Sequence, residues 1–124
     1  MSKKRRVSIL ATRMEEGLAA VIKEHELEWY VERIGCRVEF RFLPQAPKNG
    51  SEALFAEVPY NTVDLIEEGL TGPLEVLIHL YCANRGILLT PVHEMALVGP
   101  TTTEKEVDGY LSTINALVDE LTTE

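Results

Sequence analysis

The residues with the most chemical promise lie in one short stretch, Thr90-Pro91-Val92-His93-Glu94-Met95. It places a histidine beside a carboxylate between two short apolar runs, 87–90 and 95–98. Polar groups on a loop held by rigid strands are where binding groups are commonly placed. A plain polar turn between two strands explains the same letters, and on spacing alone it is the more economical reading. A second constellation is His79 and Cys82, three apart on one side of an expected helix, with His93 after the next strand. Zinc sites usually show tighter ligand pairs in two places. A surface histidine beside a core cysteine accounts for the pattern, so no metal ligand is assigned. Nucleophilic catalysis needs a Ser or Cys with a base in reach. Cys82 falls on an apolar helix face, where buried thiols are usually inert, and Cys36 is also expected in the core. Gly50, Gly69, Gly72 and Gly99 form no phosphate-binding cluster. The pairs Glu15-Glu16, Glu67-Glu68 and Asp119-Glu120 fall on expected solvated faces. These residues therefore assign no catalytic, cofactor-binding or metal-binding position.

The elements that must position the 90–95 turn are legible as periodicities. Val7, Leu10, Met14, Leu18, Val21 and Ile22 recur every three or four residues, which predicts a helix over 7–23 with one buried stripe. Gly17 inside it weakens the pattern slightly. After Gly35, Cys36, Val38, Phe40 and Phe42 alternate with Arg37, Glu39 and Arg41, a strand with one apolar and one wet face. The run 28–34 is expected to pair with it across Gly35. Residues 43–50, with Pro44, Pro47 and Asn49-Gly50, form a loop. Asn61 is expected to cap a short helix that ends near Gly69. Leu74, Leu77, Ile78, Tyr81 and Cys82 predict a helix that stops at Arg85-Gly86. Two short strands, 87–90 and 95–98, flank the turn. Thr103-Glu104-Lys105-Glu106 is a capping box before a helix whose stripe is Val107, Tyr110, Leu111, Ile114, Leu117, Val118 and Leu121. This order implies an α+β fold: a small mixed or antiparallel sheet with helices packed on one face.

At 124 residues the chain suits one domain, expected over 7–124 behind a basic tail, 1–6. It carries 12 basic and 20 acidic residues, for a net charge of −8. Four of the basic residues are Lys3-Lys4-Arg5-Arg6, read as a solubilising or cloning-derived end rather than a targeting or nucleic-acid patch. The remaining body is strongly acidic and repels phosphate backbones, so a nucleic-acid partner is not expected. No apolar run is long enough to span a bilayer. Two cysteines make no disulfide framework, which favours a reducing, cytoplasmic setting.

A family resemblance enters through the C-terminal half. Leu80-Tyr81-Cys82-Ala83-Asn84-Arg85-Gly86-Ile87-Leu88-Leu89-Thr90-Pro91, then Val92-His93-Glu94-Met95-Ala96, then Thr102-Thr103-Glu104-Lys105-Glu106-Val107, resembles the C-terminal small domain of class III pyridoxal-phosphate aminotransferases. The branch it looks most like is that of glutamate-1-semialdehyde aminomutase. Met14-Glu15-Glu16-Gly17-Leu18, His25-Glu26-Leu27, Gly35-Cys36-Arg37-Val38 and Pro47-Lys48-Asn49-Gly50-Ser51-Glu52-Ala53 fit as well. The likeness covers most of 10–121 and is weakest over 54–73.

The resemblance implies amino-group transfer between an amino acid and a carbonyl compound in the full family enzyme, through pyridoxal phosphate. In that family a lysine of a preceding large domain holds the cofactor. None of Lys3, Lys4, Lys23, Lys48 and Lys105 has the desolvated setting such a lysine needs. The isolated chain is therefore expected to bind no cofactor and to be inactive alone. Its implied partner is a large cofactor-binding domain or a homologous subunit, in a homo-oligomer. By position Pro91, Val92, His93, Glu94 and Met95 form the substrate-facing turn. The aminomutase branch commonly has a glutamate where this chain has Met95, and here the carboxylate is Glu94, one residue earlier. In extended chain that shift reverses the side chain's direction, so either aminomutase specificity is lost or His93 takes the polar role. The alternative reading is a stand-alone ligand-binding or protein-interaction module, since a fold alone does not choose among functions.

Overall fold

The computed structural model describes residues 1–55, 73–91 and 93–123, without the side chains of 53–55. The expected helix after Asn61, the pair Glu67-Glu68 and Val92 lie outside the described residues. In chain order the elements are α1 (Lys3–Glu24), β1 (Tyr30–Ile34), β2 (Arg37–Arg41), α2 (Gly50–Phe55), α3 (Pro73–Ala83), β3 (Met95–Leu97) and α4 (Glu104–Thr122). The strands form one antiparallel sheet in the order β1-β2-β3. α1 packs on β1, β2 and α4, and α4 on α3. No described helix is long and apolar enough to cross a membrane.

β2 is the central strand, and its alternation decides the layering. Val38, Phe40 and Phe42 are buried on the helix-facing side. Trp29 closes this face, stacked on Phe40 at 5.5 Å between ring centroids and edge-on to Phe42 at 5.0 Å. Gly35 makes the hairpin. Ile34 pairs with Arg37, leaving a two-residue turn whose first central residue has φ 60, the pattern that favours glycine there. Against that face α1 buries Leu10, Ala11, Met14, Leu18 and Val21, and α4 buries Val107, Tyr110, Ile114, Leu117 and Val118. Leu121, the last residue of the expected stripe, is exposed. Gly17 lies under the Leu111 side chain, where a Cβ would collide with it. It serves the α1–α4 approach and is not merely a weak helix former. The capping box of α4 forms as expected, with Thr103 Oγ1 accepting from Glu106 N–H at 3.2 Å and Glu106 accepting from Thr103 N–H at 2.9 Å.

Three expectations change. α1 begins at Lys3, not at residue 7, because Ser2 caps it by accepting from Arg5 N–H at 3.2 Å. Apolar spacing cannot report a first turn made of charged residues. The basic run is thus helical, and Arg6 donates to the carbonyls of Pro100 and Thr102 at 3.2 and 2.8 Å. Second, 87–90 is not a ladder strand. Gly86, at φ 78, and Ile87 close α3 in a Schellman pattern, donating to Ala83 and Cys82 carbonyls. Among the described residues only Thr90 of that run bonds to β3, to Met95 O at 3.1 Å. Third, α3 buries most of the expected stripe, with Ile78 and Cys82 inside and Leu74 and Tyr81 packed against the core, but Leu77 is exposed and Glu75 is buried. Val76 and Leu80 are exposed as well. The helix is apolar almost all round, so its periodicity gives no sign of a buried glutamate or an exposed Leu77.

Candidate functional site

Two backbone bonds hold the 90–95 turn against the sheet. Thr90 N–H donates to Met95 O at 3.1 Å, and His93 N–H to Thr90 O at 3.2 Å. Register then sorts its side chains. Met95 stands opposite Glu39, and Phe40 N–H donates to Glu94 O at 3.3 Å. Residues opposite one another share a face, and neighbours along a strand do not. Glu94 therefore lies on the buried Phe40 side, and Met95 on the outer side with Glu39.

On the outer side, His93 Nδ1 is 3.2 Å from Glu39 Oε1, and Arg41 Nη1 is 3.6 Å from the same oxygen. The Arg37, Glu39, Arg41 face was expected to be wet. Glu39 is only partly exposed because the histidine and arginine close over it. Pro91 is exposed, while His93 and Met95 are partly so. This side of the turn offers an imidazole held beside a carboxylate. Such a ring can accept or deliver a proton or orient a polar ligand.

On the inner side Glu94 is 4% exposed and Glu75 of α3 is 6% exposed. Burial, reinforced by Glu75, pushes the Glu94 carboxyl up to about 8, with Arg41 opposing. His79, one turn along α3 from Glu75, donates from Nε2 to the carbonyl oxygen of His93 at 2.7 Å. Of the sequence-derived set His79, Cys82 and His93, only His79 joins a cluster of possible metal ligands among the described residues, and its companions are Glu75 and Glu94. The sequence singles out no role for Glu75 and groups Glu94 with the substrate-facing turn, whereas the structure points Glu94 inward, on the buried side. No local signal gave the side of Glu94, which is set by the pairing of Met95 with Glu39.

Cys82 is fully buried, and burial pushes its thiol up to about 11. It is an inert core residue, as expected. At pH 8 a thiol reagent should therefore modify the partly exposed Cys36 in the folded chain and reach Cys82 only after unfolding. Mass spectrometry of the labelled peptides checks this, and equal labelling rates would contradict the packing of α3.

No protein-family model and no curated protein sequence matches the chain. Solved structures do. A glutamate-1-semialdehyde aminomutase from Pseudomonas aeruginosa PAO1 superposes with a TM-score of 0.77 at 39% identity, over 95% of this chain and 23% of that one. A variant of it in complex with PMP gives the same values. A β-phenylalanine aminotransferase from Variovorax paradoxus (TM-score 0.64, 19% identity, 94% of this chain and 23% of that one) shares the fold. So does an omega-transaminase from Sphaerobacter thermophilus (TM-score 0.65, 16% identity, 94% and 24%). The chain spans about a quarter of the length of these proteins. Its α+β layer, with the hairpin, β3 and the helices on one side, is a class III aminotransferase-like fold.

Proposed function

We propose that the chain is the C-terminal small domain of a class III pyridoxal-phosphate-dependent aminotransferase or aminomutase, contributing a wall of the substrate entrance to a reaction whose cofactor is held elsewhere. The observation that carries this reading is the 39% identity to the aminomutase across 95% of the chain. Pyridoxal phosphate does not fit this chain's own residues: all five lysines, Lys3, Lys4, Lys23, Lys48 and Lys105, are exposed on helix ends or loops. A lysine that forms a Schiff base near neutral pH needs desolvation or a neighbouring cation. The catalytic lysine and the cofactor pocket therefore belong to a large domain or a homologous subunit, with a homo-oligomeric, cytoplasmic enzyme as the expected whole.

The surface of α3 agrees with a missing partner. Val76, Leu77 and Leu80 are exposed, and Leu88, just beyond the helix, is 92% exposed. Isolated apolar residues on a surface are ordinary, but a helix face of them suits packing against another domain. Within this reading Pro91, His93 and Met95 form the substrate-facing side of the turn. Glu94 stands behind them, and the imidazole of His93 takes the polar role.

The test is a chimera in which this chain replaces the matching segment of the Pseudomonas aeruginosa aminomutase. It should bind pyridoxal phosphate and transfer amino groups, whereas the chain alone should do neither. In the chimera His93→Ala should change KM or kcat about tenfold or more, and His25→Ala much less. A folded, cofactor-loaded but inert chimera, or transamination by the isolated chain, would refute the reading. The stand-alone binding module has in its favour an open cavity of about 520 Å³ between 85–89, β3 and α4. It requires a ligand that raises Tm without pyridoxal phosphate.

A further inference from the structure

Glu75, His79 and Glu94 converge on the inner side of the turn. Glu75 and His79 are four apart on α3 and so share a face. Glu94 reaches the same place from the residue before β3. A carboxylate oxygen from each glutamate and a ring nitrogen of His79 all lie within 4.8 Å of one another.

Two features separate this cluster from ordinary acidic surface. First, both carboxylates are more than nine-tenths buried, and Oε1 of Glu94 is fully shielded with no hydrogen-bond partner. Two carboxylates withdrawn from water at this spacing need a positive charge between them or a shared proton. The arginine that acts on Glu94, Arg41 of β2, is partly exposed and engaged with Glu39 on the other side of the sheet. Second, the histidine is already oriented. A carbonyl oxygen only accepts, so the 2.7 Å contact from Nε2 to His93 O puts the ring proton on Nε2. In the neutral ring this leaves Nδ1 as the nitrogen with a lone pair to offer a ligand. Metal-ligating histidines characteristically donate their other ring N–H to a carbonyl or carboxylate in this way.

We propose that Glu75, His79 and Glu94 form a three-ligand site for a divalent transition-metal cation of the zinc class. The inference does not rest on the transaminase reading. One imidazole with two carboxylates is a borderline donor set. Calcium and magnesium take oxygen ligands, and copper(I) selects thiolate or thioether. A dication cancels the two buried charges. Ligand bonds of about 2.0–2.2 Å place tetrahedral donors about 3.3–3.6 Å apart, so binding would draw the donors closer than their present spread within 4.8 Å. A fourth position remains for water or a polar ligand group.

The experiment uses the full chain, stripped by chelator and titrated with ZnCl₂. Expected are one zinc per chain by elemental analysis and a rise in Tm of about 5–10 °C at zinc 100-fold above Kd. Glu94→Gln and His79→Ala should each weaken zinc binding at least about 100-fold, and His25→Ala should leave it unchanged. Glu94→Gln removes a buried charge while keeping the shape, so it should fold at least as well as the parent. Loss of zinc in that folded variant identifies the site. Failure of the parent chain to hold stoichiometric zinc would mean that the carboxyls share a proton instead, and it would overturn the proposal. So would equal affinity in the parent and Glu94→Gln, because the metal would then sit elsewhere.

Discussion

Glu94→Gln should stabilise the metal-free chain at pH 9 by on the order of 4 kcal/mol and leave it almost unchanged at pH 4. The Glu94 carboxyl is pushed from 4.5 to about 8, mainly by burial and then by Glu75 of α3. Glu39 of β2 adds to the push and Arg41 of β2 opposes it. His79 stands beside it with its Nε2 proton committed to a carbonyl. A pKa raised on folding means that, between the two values, the folded chain holds a proton the unfolded chain has released. Unfolding free energy then falls as pH rises. The contribution is intact below about 4.5, declines across the window and is lost once pH passes about 8. At roughly 1.4 kcal/mol per pH unit the window amounts to on the order of 4 kcal/mol. That is a large share of a typical domain's ~5–15 kcal/mol. Urea midpoints at pH 4, 6, 7.5 and 9 in chelator, compared between parent and variant, isolate this group from the other carboxylates. Parallel profiles for the two proteins would show that Glu94 is not buried as a charge.

Phe40→Ala should cost about 3–5 kcal/mol, enough to leave the chain marginal or unfolded. Phe40 is the fourth residue of the five-residue central strand, opposite Val31 of β1, with Glu94 O accepting from its N–H on the β3 side. Its ring is fully shielded, stacks on Trp29 and meets Phe42 edge-on at 6.1 Å. Truncation leaves a void bounded by a sheet that is hydrogen-bonded on both sides and cannot readily collapse. The loss is read from the denaturant midpoint and from the near-ultraviolet signal of Trp29. Phe40→Leu, expected to cost about 1–2 kcal/mol, keeps the test quantitative if the alanine variant does not fold. Ile34→Ala, at a 78% exposed position of β1, should stay within about 0.5 kcal/mol. Equal costs at positions 34 and 40 would disprove the layering.

Features that depend on a few neighbouring residues were legible in advance. Gly35 turns a hairpin because the backbone there needs positive φ. The Thr103–Glu106 box caps α4 because both partners lie within one turn. Strand β2 shows its buried face because Val38, Phe40 and Phe42 alternate with charged residues. The family resemblance rested on the same kind of signal, an order of stops, strands and caps. It agrees with the fold of the aminomutase segment.

The burial of Glu75 on α3 and the sorting of the 90–95 side chains are of a different kind. Along α3, residues such as Val76, Leu77, Ile78, Leu80 and Cys82 leave no polar face to mark the outside. Ile78 and Cys82 were legible as inward, but packing on α4 and the core buried Glu75 beside them and left Leu77 exposed. In the turn, His93 and Glu94 are adjacent letters that end on opposite sides of the sheet because Met95 pairs with Glu39. Local patterns of size, charge and backbone freedom thus determined which elements exist and where they stop. Only the pairing of β2 with β3 and the packing of α3 brought Glu75, His79 and Glu94 together. Their meeting depends on contacts between segments about 15 residues or more apart, and short-range periodicity carries no information about such contacts.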